Sequence, residues 1–580
     1  MITSLLLATM LAGPNATSAT TSEDLSVARI ASKESFFFVE VSDVRGMMDR
    51  LAATSLGKMV LDGKTVDDLL EPMQAERAEE LGIKPEEVTL PIDMGFAVYT
   101  VLDEEIGVEV PAWLAYAEWK DSDEQVKAIF ENEIERMELK YDEERLRGRD
   151  MLVIETDLEM PDMDEFMEDA MPMAPMMGDS SHMADALKKV FVVRDGSMIV
   201  MCSEPIGIDQ AFKVIDGGSA DTLADADAFK NLEDMISGGA DIQAGLLTAP
   251  LGAMVKPVAG PGFAMALPVI QAAFGDITGW GFWGKAAPEG NLFTFGQNIT
   301  FNGGPQGLMK LFDVGTPMGT IPSFVSAEAL SYGRFNFDFK NLIPTLNQII
   351  ASLPEAQAQQ IQQMAQMWGP MLQTSFETLG PAVHSFSTES DDEFNPMRTT
   401  LAIPSSDIKK VDQLIAMFGP MAGMQPRDFN GDTIYTDPMD DLGTVAIGVG
   451  AGSLLIGQVD GVEAVLRSAG QNDLPSLART KIAEQAERAM PSGDLMTWGF
   501  WNVKKLMMMA DSPMEMMPAA LTNGRMKAQA GKPQGSPDLM SLLDKAEVEE
   551  VAALLGPYWT TGRSTKNGMQ FTFGLLIEQE

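Results

Sequence analysis

The sequence reads as an α+β protein made of two tandem duplicated modules, each a mainly antiparallel sheet with helices packed on one face. Three observations predict this. Short blocks recur in the same order along the chain, period-two apolar runs alternate with amphipathic stretches of helical period, and glycine-marked turns join neighbouring runs as hairpins.

The first element is the apolar run Ile2 to Ala12, followed by the small-residue stretch Asn15 to Thr21. Residues 1–19 are read as a signal peptide cleaved after Thr17-Ser18-Ala19, although no Lys or Arg precedes Arg29. The mature chain is therefore expected to be exported, periplasmic or extracellular. Its single cysteine, Cys202, lies far from this segment, so a lipid-anchored N-terminus is excluded.

The first module is expected over 25–318 and the second over 319–580, with the boundary at the Gly/Pro/Thr-rich stretch Asp313 to Pro322. The duplication shows in five blocks. Asp43-Val44-Arg45-Gly46 pairs with Asp338-Phe339-Lys340-Asn341, and Trp113 to Phe130 pairs with Arg398 to Ile415. Gly196-Ser197-Met198-Ile199-Val200 pairs with Gly452-Ser453-Leu454-Leu455-Ile456, and the helix starts Gly207-Ile208-Asp209 and Gly461-Val462-Glu463 follow them. Phe293-Thr294-Phe295-Gly296 returns as Phe571-Thr572-Phe573-Gly574. Asp150 to Asp432 is 282 positions and Gly196 to Gly452 is 256, so the first copy holds 26 more residues between those points. They coincide with a Met-rich acidic insert at 160–188; a second Met-rich insert spans about 507–540.

Within a copy, Trp113 to Trp119 alternates as a strand, and Val126, Ile129, Phe130, Ile134 and Met137 line one face of the helix after it. Val190–Val193 and Ser197–Met201 form a hairpin across Arg194-Asp195-Gly196, and Val445–Val449 with Ser453–Ile456 does the same in the second copy. Each copy closes on another hairpin, Trp280–Lys285 with Asn291–Thr300 and Tyr558–Arg563 with Met569–Ile577. The charge-free stretch Pro257 to Gly275 reaches spanning length, but its three prolines and three glycines make a buried or groove-lining segment the better reading than a membrane span.

Composition removes whole classes of chemistry. Lys plus Arg number 41 against 85 Asp plus Glu, a formal charge of −44 that repels phosphate backbones and excludes nucleic acid as a partner. One cysteine permits no internal disulfide and no thiolate cluster, and two histidines leave little for zinc, haem or triad chemistry. Gly63-Lys64-Thr65 lacks the upstream glycine of a phosphate loop, because position 58 is Lys58. Gly448 to Gly452 lacks the last glycine of a dinucleotide fingerprint and reads as a hairpin turn. Ala329-Leu330-Ser331-Tyr332-Gly333 lacks the first glycine of a nucleophile elbow.

His182 and His384 read as surface histidines and Cys202 as inert core sulfur. Asp150 and Asp432, at equivalent points of the copies, read as turn formers. Asp162 to Asp169 lacks the glycine and terminal Glu of a calcium loop. Methionine is the anomaly, at 43 residues; Met171, Met173, Met176 and Met177 are the candidate ligands for Cu(I), set against a solvated loop or an adaptable apolar surface. Trp280-Gly281-Phe282-Trp283 recurs as Trp498-Gly499-Phe500-Trp501 outside the register of the duplication, with core packing expected for both.

The layout carried by Phe36–Ser42, Trp113–Phe130 and Gly196–Lys213 with their partners resembles a group of large bacterial extracytoplasmic proteins known as a domain of unknown function. That resemblance implies an envelope protein without enzymatic activity and brings no catalytic or cofactor-binding residues and no cofactor. Three functions follow in order: a non-catalytic binding or scaffold protein whose partner is an unknown protein or hydrophobic ligand, a carrier enclosing an apolar cavity, and a secreted hydrolase using a carboxylate pair. Ala249–Gly275 and the Met clusters are the contact surfaces expected for the first.

Overall fold

The computed structural model describes residues 26–84, 88, 90–103, 108–119, 123–136, 139–155, 189–236, 239–258, 261–353, 355–390, 396–437, 445–469, 475–509 and 545–578. Described residues up to Ala266 with Ile277–Thr300 make one compact unit; Leu267–Asp276 with the described residues from Phe301 onward make the other. The division falls after Thr300 and not at 318. The stretch expected as a linker is tied into the second unit. Phe312 packs against Phe335 and Phe337, and Thr316–Pro317 (β11) pairs with Asp494–Leu495 (β19).

The first unit's strands are β1 (Ser35–Val41), β2 (Asp93–Asp103), β3 (Val108–Glu118), β4 (Tyr141–Leu146), β5 (Arg149–Glu155), β6 (Lys189–Asp195), β7 (Met198–Cys202), β8 (Ile242–Leu247), β9 (Ile277–Ala286) and β10 (Asn291–Phe301). They form an antiparallel sheet in the order β4-β5-β6-β7-β3-β2-β1-β8-β9-β10.

The second unit has β12 (Ser331–Asn336), β13 (Ala382–Glu389), β14 (Met397–Pro404), β15 (Gln425–Phe429), β16 (Asp432–Thr436), β17 (Val445–Gly450), β18 (Ser453–Gln458), β20 (Thr497–Trp501), β21 (Leu555–Ser564) and β22 (Gly568–Ile577). Its order is β15-β16-β17-β18-β14-β13-β12-β20-β21-β22, the same succession of connections strand for strand. The connection from β5 to β6 runs over 156–188, its counterpart from β16 to β17 over 437–444.

Around β3 and β14 helices pack on both faces of the sheet, which corrects the one-sided expectation there. In β3, Leu114 and Tyr116 join a core with Ile208, Ala211 and Phe212 of the helix Pro205–Ile215. Trp113, Ala115 and Ala117, pointing the other way, join a core with Val126 of the helix Asp123–Arg136. The reason is in the sequence: Trp113 to Ala117 has no polar residue, and a strand apolar on both sides must be buried on both. The second unit repeats this, with Ala402 facing Val462 and Val465 on one side and Ile403 facing Val411 and Ile415 on the other.

Local chemistry explains the recurring blocks. Asp43 caps the helix Val44–Ala52 by accepting from the Gly46 N–H, and Asp338 caps the turn Phe339–Asn341 by accepting from the Asn341 N–H. In the helix starts after β7 and β18 the glycine is needed for close approach. A Cβ on Gly207 would overlap the Tyr99 hydroxyl and Cys202 Sγ, and one on Gly461 would overlap Thr400 Oγ1.

Pro257 to Gly275 departs from expectation. It is helical over Thr248–Val258 and Pro261–Phe274, and Leu267, Ile270 and Phe274 are exposed. No helix among the described residues is long and apolar enough to cross a membrane.

Candidate functional site

One face of the first unit's sheet over β1, β8, β9 and β10 is only partly covered: the helix Val44–Ala52 lies against β9 and the helix Thr248–Val258 against β1 and β9, yet Trp280 and Phe282 stay exposed. The strand register sets it rung by rung: Phe37 opposite Leu246 and Val39 opposite Ala244, then Leu246 opposite Trp280 and Ala244 opposite Phe282. Across the next hairpin Gly296 lies against the Trp283 ring, so alternation places Phe293 and Phe295 on the face that carries Trp280 and Phe282. These eight side chains are all apolar. Trp280 is 43% and Phe282 49% exposed, and their rings stack at 5.6 Å. Phe293 and Phe295 stand 5.8 Å apart beside them.

The glycines of the Trp-Gly-Phe-Trp segment face the other way. Gly281 lies against Leu232 of the helix Asp227–Glu233, and Trp283 is buried on that side. The same tetrapeptide in β20 has a different fate, with Trp498 and Phe500 buried against Tyr332. Core packing, expected for both, therefore holds for Trp498 and Phe500 but not for Trp280 and Phe282. The segment lies on β9 in one unit and on β20, the topological counterpart of β8, in the other.

A second concavity of about 500 Å³ opens between the helices Val44–Ala52, Ser55–Leu61 and Val66–Leu81. It is lined by Arg45, Asp49, Leu61, Asp67 and two lysines, Lys58 and Lys64. Arg45 is held by Asp49 at 3.0 Å and by Asp67 at 2.6 Å, so its charge is matched locally.

Titratable groups in the cores are structural. Glu40 is 3% exposed and accepts from the Val27 N–H, the Tyr116 hydroxyl and Gln243 Nε2 at 3.3, 3.1 and 2.8 Å. Burial nevertheless raises its pKa above the usual carboxylate value. Cys202 is fully buried, 3.0 Å from the Tyr99 hydroxyl, and burial pushes its thiol up to about 11, so it is an inert core sulfur as the sequence suggests.

His384 is not the surface residue expected. It lies on β13 at 7% exposure with its Nδ1 2.8 Å from the Tyr332 hydroxyl. Burial, then the nearby Arg334 charge, lowers its pKa to about 4. A histidine inside a Val-His-Ser-Phe strand follows strand alternation, which a lone-residue reading ignores.

Asp150 and Asp432 are exposed beside the turns at Gly148 and Gly431, both with positive φ, in keeping with a turn-forming role. Met171, Met173, Met176, Met177, His182 and the 162–169 acidic run lie outside the described residues. Of the second Met cluster, Met507 is buried and Met508 exposed. Among the described residues no group of three or more His, Cys, Asp or Glu side chains could hold a metal ion.

Fold and site together define an α+β protein with two antiparallel units, one of which exposes an aromatic pair, Trp280 and Phe282, on its sheet. No family model, no curated protein and no solved structure matches the chain.

Proposed function

We propose that the protein is an exported, non-catalytic binding protein that holds an apolar, acyl-like ligand on the partly covered face of its first unit. The observation that carries this reading is the side-by-side exposure of Trp280 and Phe282, continued by the half-buried Phe293, Phe295, Leu246 and Phe37, with the indole N–H of Trp280 the one polar group among these six side chains. A glycan or a peptide strand would need polar partners there, whereas an acyl chain needs only contact area. The unit's sheet supplies a rigid platform, and the matched connectivity of the second unit supports descent of both from one ancestral module. Cell-envelope placement rests on the N-terminal segment and on the resemblance to extracytoplasmic proteins.

The test is a titration of the full chain with a fluorescent fatty acid. Burying an aromatic side chain against the ligand is worth roughly 1.5–3 kcal/mol, so W280A/F282A should bind at least tenfold more weakly than the unaltered protein. Non-saturable fluorescence with the unaltered protein, or equal affinity in the variant, would refute the assignment.

A further inference from the structure

In the second unit, Arg334 on β12 stands directly opposite His384 on β13 and directly opposite Trp498 on β20, so the three side chains share one face of the sheet. Trp498 is 2% and His384 7% exposed. The Arg334 guanidinium donates to Thr316 Oγ1 at 3.0 Å, a neutral acceptor, and no carboxylate among the described residues pairs with it. Its Nε–H is buried without a partner, and so is the indole N–H of Trp498. When the Tyr332 hydroxyl donates to His384 Nδ1, the proton of the neutral ring sits on Nε2, a further donor on the same rung.

Buried donors left without acceptors are costly, and a partly buried cation without a counter-charge more so. On β1, which holds in the first unit the place in the strand order that β12 holds in the second, buried donors are met from within the chain. There Glu40 is buried, and the chain's own carboxylate accepts from the Val27 N–H, the Tyr116 hydroxyl and Gln243 Nε2. One unit brings donors together around an acceptor that belongs to the chain; the other brings donors together around none.

We infer that the Arg334–His384–Trp498 rung is a binding site for a small monovalent anion that sheds water more readily than fluoride, a heavier halide such as bromide or a carboxylate. The loop at Gly319 covers the guanidinium so closely that any Cβ there would overlap its Nη1. Glu487, the carboxylate whose charge acts on Tyr332, does not neutralise the rung: its own pKa is raised by burial and by Glu484, not lowered by a cation.

The chain has 8 Trp, so tryptophan-selective ¹⁵N labelling gives a resolvable set of indole N–H signals, and W498F identifies the one that belongs to Trp498. The full chain is titrated separately with sodium bromide and sodium formate, ionic strength being held constant with sodium fluoride. The Trp498 signal is expected to shift saturably with bromide, with formate or with both, which names the source. R334Q should weaken that response at least tenfold while the signal itself persists. A Trp498 signal that moves with neither anion overturns the proposal, as does a signal that moves equally in R334Q. Should R334Q not fold, the titration of the unaltered chain alone decides.

Discussion

At the residue scale, His384 shows how burial converts an ordinary side chain into a pH-dependent liability. Its pKa falls from about 6.5 to about 4 because the imidazolium would lose its hydration, and the Arg334 charge adds to the penalty. The unfolded chain then takes up a proton near pH 6.5 that the folded chain refuses until about pH 4. Stability therefore falls as pH drops through that window and levels off below it. Two and a half pKa units correspond to at most about 3.4 kcal/mol. In dilute buffer, H384Q should flatten this part of the profile by up to that amount, measured as urea midpoints between pH 7 and pH 4. A profile parallel to that of the unaltered protein would show that His384 ionises freely in the folded state.

At the element scale, the two helix starts Gly207-Ile208-Asp209 and Gly461-Val462-Glu463 act as docking devices. The glycine lets the helix approach the sheet, and the acid takes an arginine from the neighbouring hairpin: Arg147 to Asp209 at 2.7 Å and Arg427 to Glu463 at 2.6 Å. G461A should cost about 1–3 kcal/mol through overpacking against Thr400, read as a lowered denaturant midpoint with an unchanged slope. An unaltered midpoint would mean that the helix can shift without loss. This much was legible in the sequence, because a cap, a turn and a glycine contact are local or recur at fixed spacing. The two-sided covering at β3 is legible too, in the unbroken run of apolar and aromatic residues from Trp113 to Ala117. The exposure of Trp280 was not legible. It depends on β9 lying beside β8 and β10, pairings that no local pattern fixes, and the identical segment on β20 is buried for that reason.

At the scale of the whole molecule, an excess of 85 acids over 41 bases opposes compactness everywhere at once. The outermost strand β4, Tyr-Asp-Glu-Glu-Arg-Leu, is exposed along almost its whole length, so charge is spent where an unpaired edge would otherwise recruit another chain. The cost of that excess is general self-repulsion, which salt screens as the Debye length shrinks from about 30 Å at 0.01 M to about 8 Å at 0.15 M. Raising sodium fluoride over this range should therefore raise the thermal midpoint, by roughly 2–4 °C for each kcal/mol of repulsion removed. Screening depends on ionic strength and not on which anion supplies it, so fluoride is the fair reference. Any additional rise when bromide or formate replaces fluoride at equal ionic strength reports the Arg334 rung and should vanish in R334Q. A midpoint that stays flat or falls with fluoride would mean that the acidic side chains are already matched by local cations, against the surplus that composition requires.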